Sequence, residues 1–495
     1  MRSLKIKQAL FTRFHYLCRQ MDTEITIKIE NGMACAPENR MAAPINVAIK
    51  RGWQVAISGP NGSGKTLLVN TLLRQYPLMD NNFVEYGCIS ASDIRYITFR
   101  DSYGVADPTY FYQQRWNSTE MDDSPVVGDI FPHIADKDWK ETLYNLFDLG
   151  FIWKKQLVTL SSGEMRKYQL AKALAGKPKV TIIDSPFIGL DRQTRTMLCN
   201  LLENLANRWG IQVILVVSRE KDIPDFITHV IPVENLTCYP IVLREDYHSN
   251  PQQKLLTPEL KELLTSLPSV KTESDEIVKC NSITLQYGDR KIFNNLEWRI
   301  MKGERWALLG ENGAGKSALL SMVYADNPQS YACDISLFGN RRGSGESIWE
   351  IKKNIGYVSP EMHRSYARHY PVIDIVASGL HDTIGLYKKI HDNERERCIA
   401  WLKIFGLEEL KDRDFFNLSS GEQRMVLLAR AFVKNPSLII LDEPLHGLDD
   451  SNRSLVMDII RTFCSNREKT MIIVTHYPEE LPDIIDKQFK LIRQS

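Results

Sequence analysis

No stretch of this chain approaches the ~18–20 consecutive apolar residues that a membrane-spanning helix needs, although 43% of its 495 residues are hydrophobic. A role in transport would therefore require a second, membrane-spanning chain. A charge excess is missing as well. The 62 Lys and Arg against 61 Asp and Glu leave a net charge of +1, so there is no global pull toward nucleic acid or a membrane surface. Cysteine pairs at metal or disulfide spacing are also absent. The nine cysteines are scattered, with no C-x-x-C, a usage that suits reduced thiols in a cytosolic protein. The first twenty residues hold five basic and no acidic side chains but no apolar signal-peptide core. They read as an N-terminal extension, 1–20, ahead of Met21.

What the chain does contain is a phosphate-binding loop. Gly310-Glu311-Asn312-Gly313-Ala314-Gly315-Lys316-Ser317 reads G-x-x-x-x-G-K-[ST]. The apolar run Arg305–Leu309 precedes it and Ala318–Val323 follows, the strand–loop–helix setting that such a loop requires. Its glycines allow a tight turn that brings backbone N–H groups to a nucleotide's phosphates. The helix N-terminus behind adds a favourable field. Lys316 is placed for the β/γ-phosphates and the Ser317 hydroxyl for a Mg²⁺ position.

The same unit occurs twice. Gly59-Pro60-Asn61-Gly62-Ser63-Gly64-Lys65-Thr66 is a second such loop, after the strand-like Gln54–Ser58. Leu160-Ser161-Ser162-Gly163-Glu164 recurs as Leu418-Ser419-Ser420-Gly421-Glu422. Val180–Ile183 ending in Asp184-Ser185-Pro186 recurs as Leu438–Leu441 ending in Asp442-Glu443-Pro444. Between the repeats, residues 246–275 are polar and contain Pro251, Pro258 and Pro268, with Thr257-Pro258-Glu259 set to cap and start a short helix. The expected layout is a domain over 21–245, a linker over 246–275 and a second domain over 276–495. Short β-branched runs alternating with amphipathic stretches indicate α/β domains with mostly parallel sheets. The segment before the second Ser-Ser-Gly-Glu motif, for example Glu394–Phe405, predicts a helical subdomain.

The ordered set of phosphate loop, Leu-Ser-Ser-Gly-Glu and apolar strand ending in Asp-Glu-Pro resembles the ATP-binding cassette (ABC) family, twice over. Within that family, the run Leu337–Lys353 with Ile355–Ser359 is similar to twin-cassette ATP-binding proteins associated with molybdate transport, of the photorepair type in older naming. The resemblance implies two tandem P-loop NTPase domains with ATP and Mg²⁺ as cofactors. In the second copy it implies that Asp442 holds Mg²⁺, Glu443 acts as general base, and His476 senses the γ-phosphate. Tyr287 is implied to stack on adenine, and Asp449 to sit in the loop joining the two sites.

The first copy keeps Lys65, Thr66 and the Mg²⁺ residue Asp184, but Ser185 stands at the place of Glu443 and Arg219 at that of His476. No aromatic near Ala36 and Pro37 matches Tyr287. Serine cannot serve as a carboxylate base, so the expectation is one main catalytic site and one mainly structural site. The resemblance also implies intramolecular head-to-tail pairing. The loop holding Lys316 and Ser317 would face Ser161, Ser162 and Gly163, and that holding Lys65 and Thr66 would face Ser419, Ser420 and Gly421. One family feature is missing. After Tyr357-Val358 comes Ser359-Pro360-Glu361, and after Tyr96–Phe99 comes Arg100-Asp101, where cassettes carry a glutamine that meets Mg²⁺ and a permease. The expected role is an ATP-hydrolysing, energy-coupling subunit with a separately encoded membrane permease, cytoplasmic or peripheral on the membrane's inner face. The alternative is a soluble twin-cassette ATPase of the translation-factor or regulatory and DNA-repair type. No strong nucleic-acid signal supports the latter.

Overall fold

The computed structural model describes residues 25–80, 82–98, 125–157, 160, 162–287, 290–311, 313–360, 362, 366 and 369–492. The extension 1–20 and residues Arg100, Asp101, Ser161, Asn312 and Glu361 lie outside these, as do the side-chain surroundings of Ser162, Gly163 and Tyr287.

Continuous apolar runs become the central strands. Leu438, Ile439, Ile440 and Leu441 are each 0% exposed, as strands of a parallel sheet covered on both faces must be. In the second half the strands lie in the order Ile355–Val358, Leu438–Asp442, Thr470–Val474, Arg305–Gly310 and Lys487–Leu491, all parallel. The first half repeats that order with Ile94–Thr98, Val180–Asp184, Gln212–Val217, Val55–Ser58 and His229–Glu234, also parallel. Each phosphate loop therefore leaves a strand flanked on both sides, and the Asp184 and Asp442 strands lie one strand further along. Strand ends and loops gather at one edge, where α/β sheets bind ligands.

Each half adds an antiparallel sheet and a helical layer. The sheets are built on Ile25–Gly32 with Ile45–Lys50, and on Glu276–Tyr287 with Arg290–Met301. The helices of the second half include Val372–Ser378, Asp392–Ile404 and Ser420–Phe432. Trp401, Phe405, Phe415 and Phe432, each at most 1% exposed, fill the space among them.

The segment 246–275 is docked rather than loose. Its helix Pro258–Ser266 starts at Thr257, whose side chain accepts from the Leu260 N–H. Leu256 and Leu264 are buried in the core of the second half. The Leu256 N–H donates to Asp458 at 2.9 Å and the Val270 N–H to the Asn435 carbonyl at 3.1 Å. Among the described residues, no helix is long and apolar enough to cross a membrane, and the eight described cysteines are free thiols.

Candidate active sites

Both phosphate loops bridge a strand and a helix, Lys65–Leu72 in one half and Lys316–Val323 in the other. Their backbones match closely: φ is 75° and 100° at Gly62 and Gly64, and 77° and 97° at Gly313 and Gly315. Only glycine adopts such values without strain. The lysines match too. Lys65 Nζ donates to the Gly59 and Pro60 carbonyls at 2.7 and 2.6 Å, and Lys316 Nζ to the Gly310 and Glu311 carbonyls at 2.6 and 3.0 Å. Burial lowers the Lys65 amine to about 8, partly offset by Asp184 of its own half and by Asp449 and Glu422 of the other. Burial lowers Lys316 as well, against the pull of Asp442, Glu443 and, across the seam, Asp191.

The first phosphate loop is pressed against the second half. The Asn61 N–H donates to Asp449 Oδ2 at 2.7 Å and the Asn61 amide to the Gly447 carbonyl at 3.1 Å. The same amide oxygen accepts from Ser218 Oγ at 2.9 Å. A Cβ at Gly421 would lie 1.8 Å from Asn61 Nδ2, so nothing larger than glycine fits there. Thus Asn61 and Gly62 meet Gly421, Glu422 and Asp449, the loop-to-signature arrangement that head-to-tail pairing requires. Ser419 is spent locally, its hydroxyl donating to Glu422 at 2.7 Å in a capping box that starts the helix Ser420–Phe432. Of the partners expected for Lys316 and Ser317, Ser161 lies outside the described residues, as do the side chains of Ser162 and Gly163.

The two Walker-type strand ends then diverge. In the second half, Glu443 Oε1 accepts from His476 Nε2 at 2.8 Å, and His446 Nδ1 lies 3.3 Å from Oε2. Burial pushes the Glu443 carboxyl up, but the His476 hydrogen bond and, further down, the Arg424 guanidinium are among the groups that outweigh it and hold it at about 2. It is an anion at any physiological pH. Asp442 beside it is pushed up to about 7, first by burial and then by Glu443. In the first half Ser185 Oγ donates to Asp184 Oδ1 at 2.9 Å, and Tyr96 Oη reaches Oδ2 at 3.2 Å. Arg219 lines the same cavity as Ser185 but is paired elsewhere. Its guanidinium binds Asp222 at 2.8 and 2.9 Å and approaches Glu480 of the other half at 3.9 Å. Glu480 also pairs with Arg453, and Asp222 with Arg195 at 2.7 Å.

The sequence profile of the family described as ABC transporter matches residues 42–188 and again 293–446. The chain belongs to the ABC family. As an ABC ATPase it hydrolyses ATP, and it has relatives that span both cassettes. It is 34% identical over 464 residues to the ABC transporter ATP-binding protein ModF of Escherichia coli, covering 90% of this chain and 92% of that protein. An uncharacterized ABC transporter ATP-binding protein of Schizosaccharomyces pombe is 28% identical over 458 residues, covering 89% of this chain and 92% of its own length. Among solved structures, an RNase-L inhibitor superposes with a TM-score of 0.53 at 18% identity, over 93% of this chain and 88% of that one. That likeness concerns the fold.

Several residues at the seam of this ABC protein were not singled out from sequence: His446, Asp222, Arg453, Glu480 and Tyr477, whose hydroxyl donates to the Leu190 carbonyl at 3.0 Å across the halves. For His446 a signal existed, because the first copy has Ile188 at the matching place. At the place in the first half that corresponds to Tyr287, Pro37–Asn39 form a 3-10 helix after Ala36, and Arg40 donates to the Ala34 and Cys35 carbonyls.

The Mg²⁺ that the family implies fits what is here. Among the described residues no group of three His, Cys, Asp or Glu gathers as a ready-made metal cage, and Mg²⁺ in phosphoryl-transfer sites is held by one or two protein oxygens plus phosphates and water. A buried Asp442 pushed up to about 7 is a carboxylate short of a cation. Ser317 and Asp442 in one half, and Thr66 and Asp184 in the other, would supply the matching oxygens.

Proposed function

We propose that the chain is an asymmetric ATPase in which one composite site hydrolyses and the other binds. The observation that supports this is Glu443, bonded to His476 at 2.8 Å, against Ser185, whose hydroxyl is bonded to Asp184. In the hydrolytic site the N–H groups of Gly313–Ser317 and the Lys316 amine hold the β- and γ-phosphates. Tyr287 lies against the adenine, and Ser161–Gly163 of the first half complete the γ-phosphate cradle. Glu443 orients the attacking water and takes its proton as the water oxygen bonds to phosphorus and the β–γ bridging bond breaks, leaving ADP and phosphate. His476 keeps the carboxylate aimed. Ser317 and Asp442 would hold Mg²⁺, which when bound would neutralise phosphate charge. In the other site Gly59–Thr66 with Asp184 and Ser419–Gly421 hold a second nucleotide that turns over slowly. Steady-state phosphate release tests this: Glu443→Gln abolishes turnover while ATP binding persists. Near-parental release would overturn the asymmetric assignment.

The cellular reading is that the ATPase energises a separately encoded membrane permease and sits on the inner face of the membrane. The name of the ModF relative supports a transport link, and the resemblance over Leu337–Lys353 supports molybdate or a related oxyanion as cargo. One observation favours a second reading, a soluble twin-cassette ATPase without permease. Where the coupling glutamine belongs, Ser359 instead lends its carbonyl to the buried Arg424 at 3.0 Å, and Pro360 follows. Affinity capture with Glu443→Gln under ATP separates the two. Recovery of a membrane protein supports transport, and recovery of ribosomal proteins alone rejects it.

A further inference from the structure

The turns that follow the two strand ends face each other around a local two-fold. A Cβ at Gly447 would lie 3.3 Å from Ile188 Cδ1, and one at Gly189 would lie 3.4 Å from His446 Cε1. The residue before the glycine in each turn thus packs over the glycine of the other half. One contact is hydrocarbon and the other is an imidazole.

The imidazole contact is also polar. The Gly189 N–H donates to His446 Nε2. A backbone amide can only donate, so Nε2 must accept, and the proton of the neutral ring then sits on Nδ1. That nitrogen faces Glu443 Oε2 at 3.3 Å. Each carboxylate oxygen of Glu443 therefore has its own histidine. His476 is rooted in the same half, while His446 takes its tautomer and ring orientation from the backbone of the other. Glu443 has φ of 50° and Ser185, at the matching place, 54°, so this backbone belongs to the turn both halves share and not to the histidines.

We propose that His446 is a positioning residue for the general base, its ring held in the orientation that serves Glu443 Oε2 by the Gly189 N–H of the first half. The first half has no such connection, since Ile188 can neither accept nor donate. This rests on Glu443 being the base.

The test uses the full chain and compares His446→Ile, His446→Gln and Glu443→Gln by kcat, KM and equilibrium ATP affinity. Isoleucine is the residue the protein already uses at the matching contact, so packing is preserved. With it, kcat falls about tenfold or more, as misplaced catalytic groups do, while KM and ATP affinity stay within about twofold. Glutamine can accept from Gly189 and donate to Glu443, and it restores kcat to within about threefold of the parent. Parental kcat in His446→Ile, or equal loss in both His446 variants, overturns the proposal. If Glu443→Gln itself turns over normally, the underlying assignment of the base fails instead. A dead Glu443→Gln beside a parental His446→Ile rejects only the role of His446.

Discussion

The two halves share a sheet order, a phosphate-loop geometry and a lysine bonded back onto its own loop, yet they spend the same two positions on opposite tasks. In the second half the residue after the strand-end aspartate is a carboxylate and the next strand ends in a histidine that grips it. In the first half those positions are Ser185, bonded to its neighbour, and Arg219, drawn into charge pairs with Asp222 and Glu480. The first half does not merely lack that carboxylate and histidine. One of the vacated positions now helps hold the halves together. A phosphate loop alone says little about which site turns over, because the difference lies in what surrounds its far side.

The largest effect that could break this comparison is at Glu443. Glu443→Gln should cut turnover by roughly 10²–10⁴-fold, the usual contribution of a positioned base, or about 3–5.5 kcal/mol of barrier. Adding Ser185→Glu to that variant should restore nothing measurable, because Arg219 is engaged elsewhere and no histidine would hold the new carboxylate. Phosphate release that recovers to near the parental rate would show that the halves differ in one residue only.

Next comes the seam. Arg219→Met removes a side chain of which 10% is exposed from between two carboxylates. Because Asp222 keeps Arg195 and Glu480 keeps Arg453, the cost should be about 2 kcal/mol, below the several expected for a carboxylate left wholly unpaired. Thermal unfolding measures it, and an unchanged midpoint would remove Arg219 from the interface account. Gly421→Ala should act on the seam too, since its methyl would displace Asn61. A drop in turnover of about tenfold, ~1.4 kcal/mol, is expected with a catalytic half that is otherwise intact. Full activity would mean that the first loop need not dock on the second half.

The smallest effect concerns protons. Free Lys65 is half neutral near pH 8, since burial lowers its amine to about 8. A bound triphosphate favours the ammonium form, so ATP binding above pH ~8 should take up protons and weaken as pH rises toward ~10. Calorimetry at about pH 8.5 in buffers of differing ionisation heat reads the uptake, and Lys65→Met should reduce it. Uptake insensitive to that substitution would assign the protons elsewhere, with Lys316 the next group to replace.

Much of the fold was legible in local pattern. Leu438–Leu441 reads as a buried strand and is one. Thr257-Pro258-Glu259 reads as a helix start and caps Pro258–Ser266. The segment 246–275 misled in one respect. Its prolines and polar residues suggest a spacer, yet Leu256, Leu260 and Leu264, spaced four apart, turn to the second half, and Leu256 and Leu264 are buried in it. Four-residue spacing shows that a helix has an apolar face but not which surface covers it.

The sequence by itself determined the doubling of the cassette, the phosphate loops, and the presence of the strand-end glutamate and histidine in one copy only. Those features are runs of neighbouring residues whose backbone chemistry is fixed locally. Only the tertiary structure decided that Asn61 meets Gly447 and Asp449, that Arg219 serves the interface, and that Gly189 reaches Glu443 through His446. These partners lie more than two hundred residues apart and leave no periodicity to read. They meet because two similar folds pack around an approximate two-fold, so a position empty of catalytic meaning in one half becomes a contact for the other.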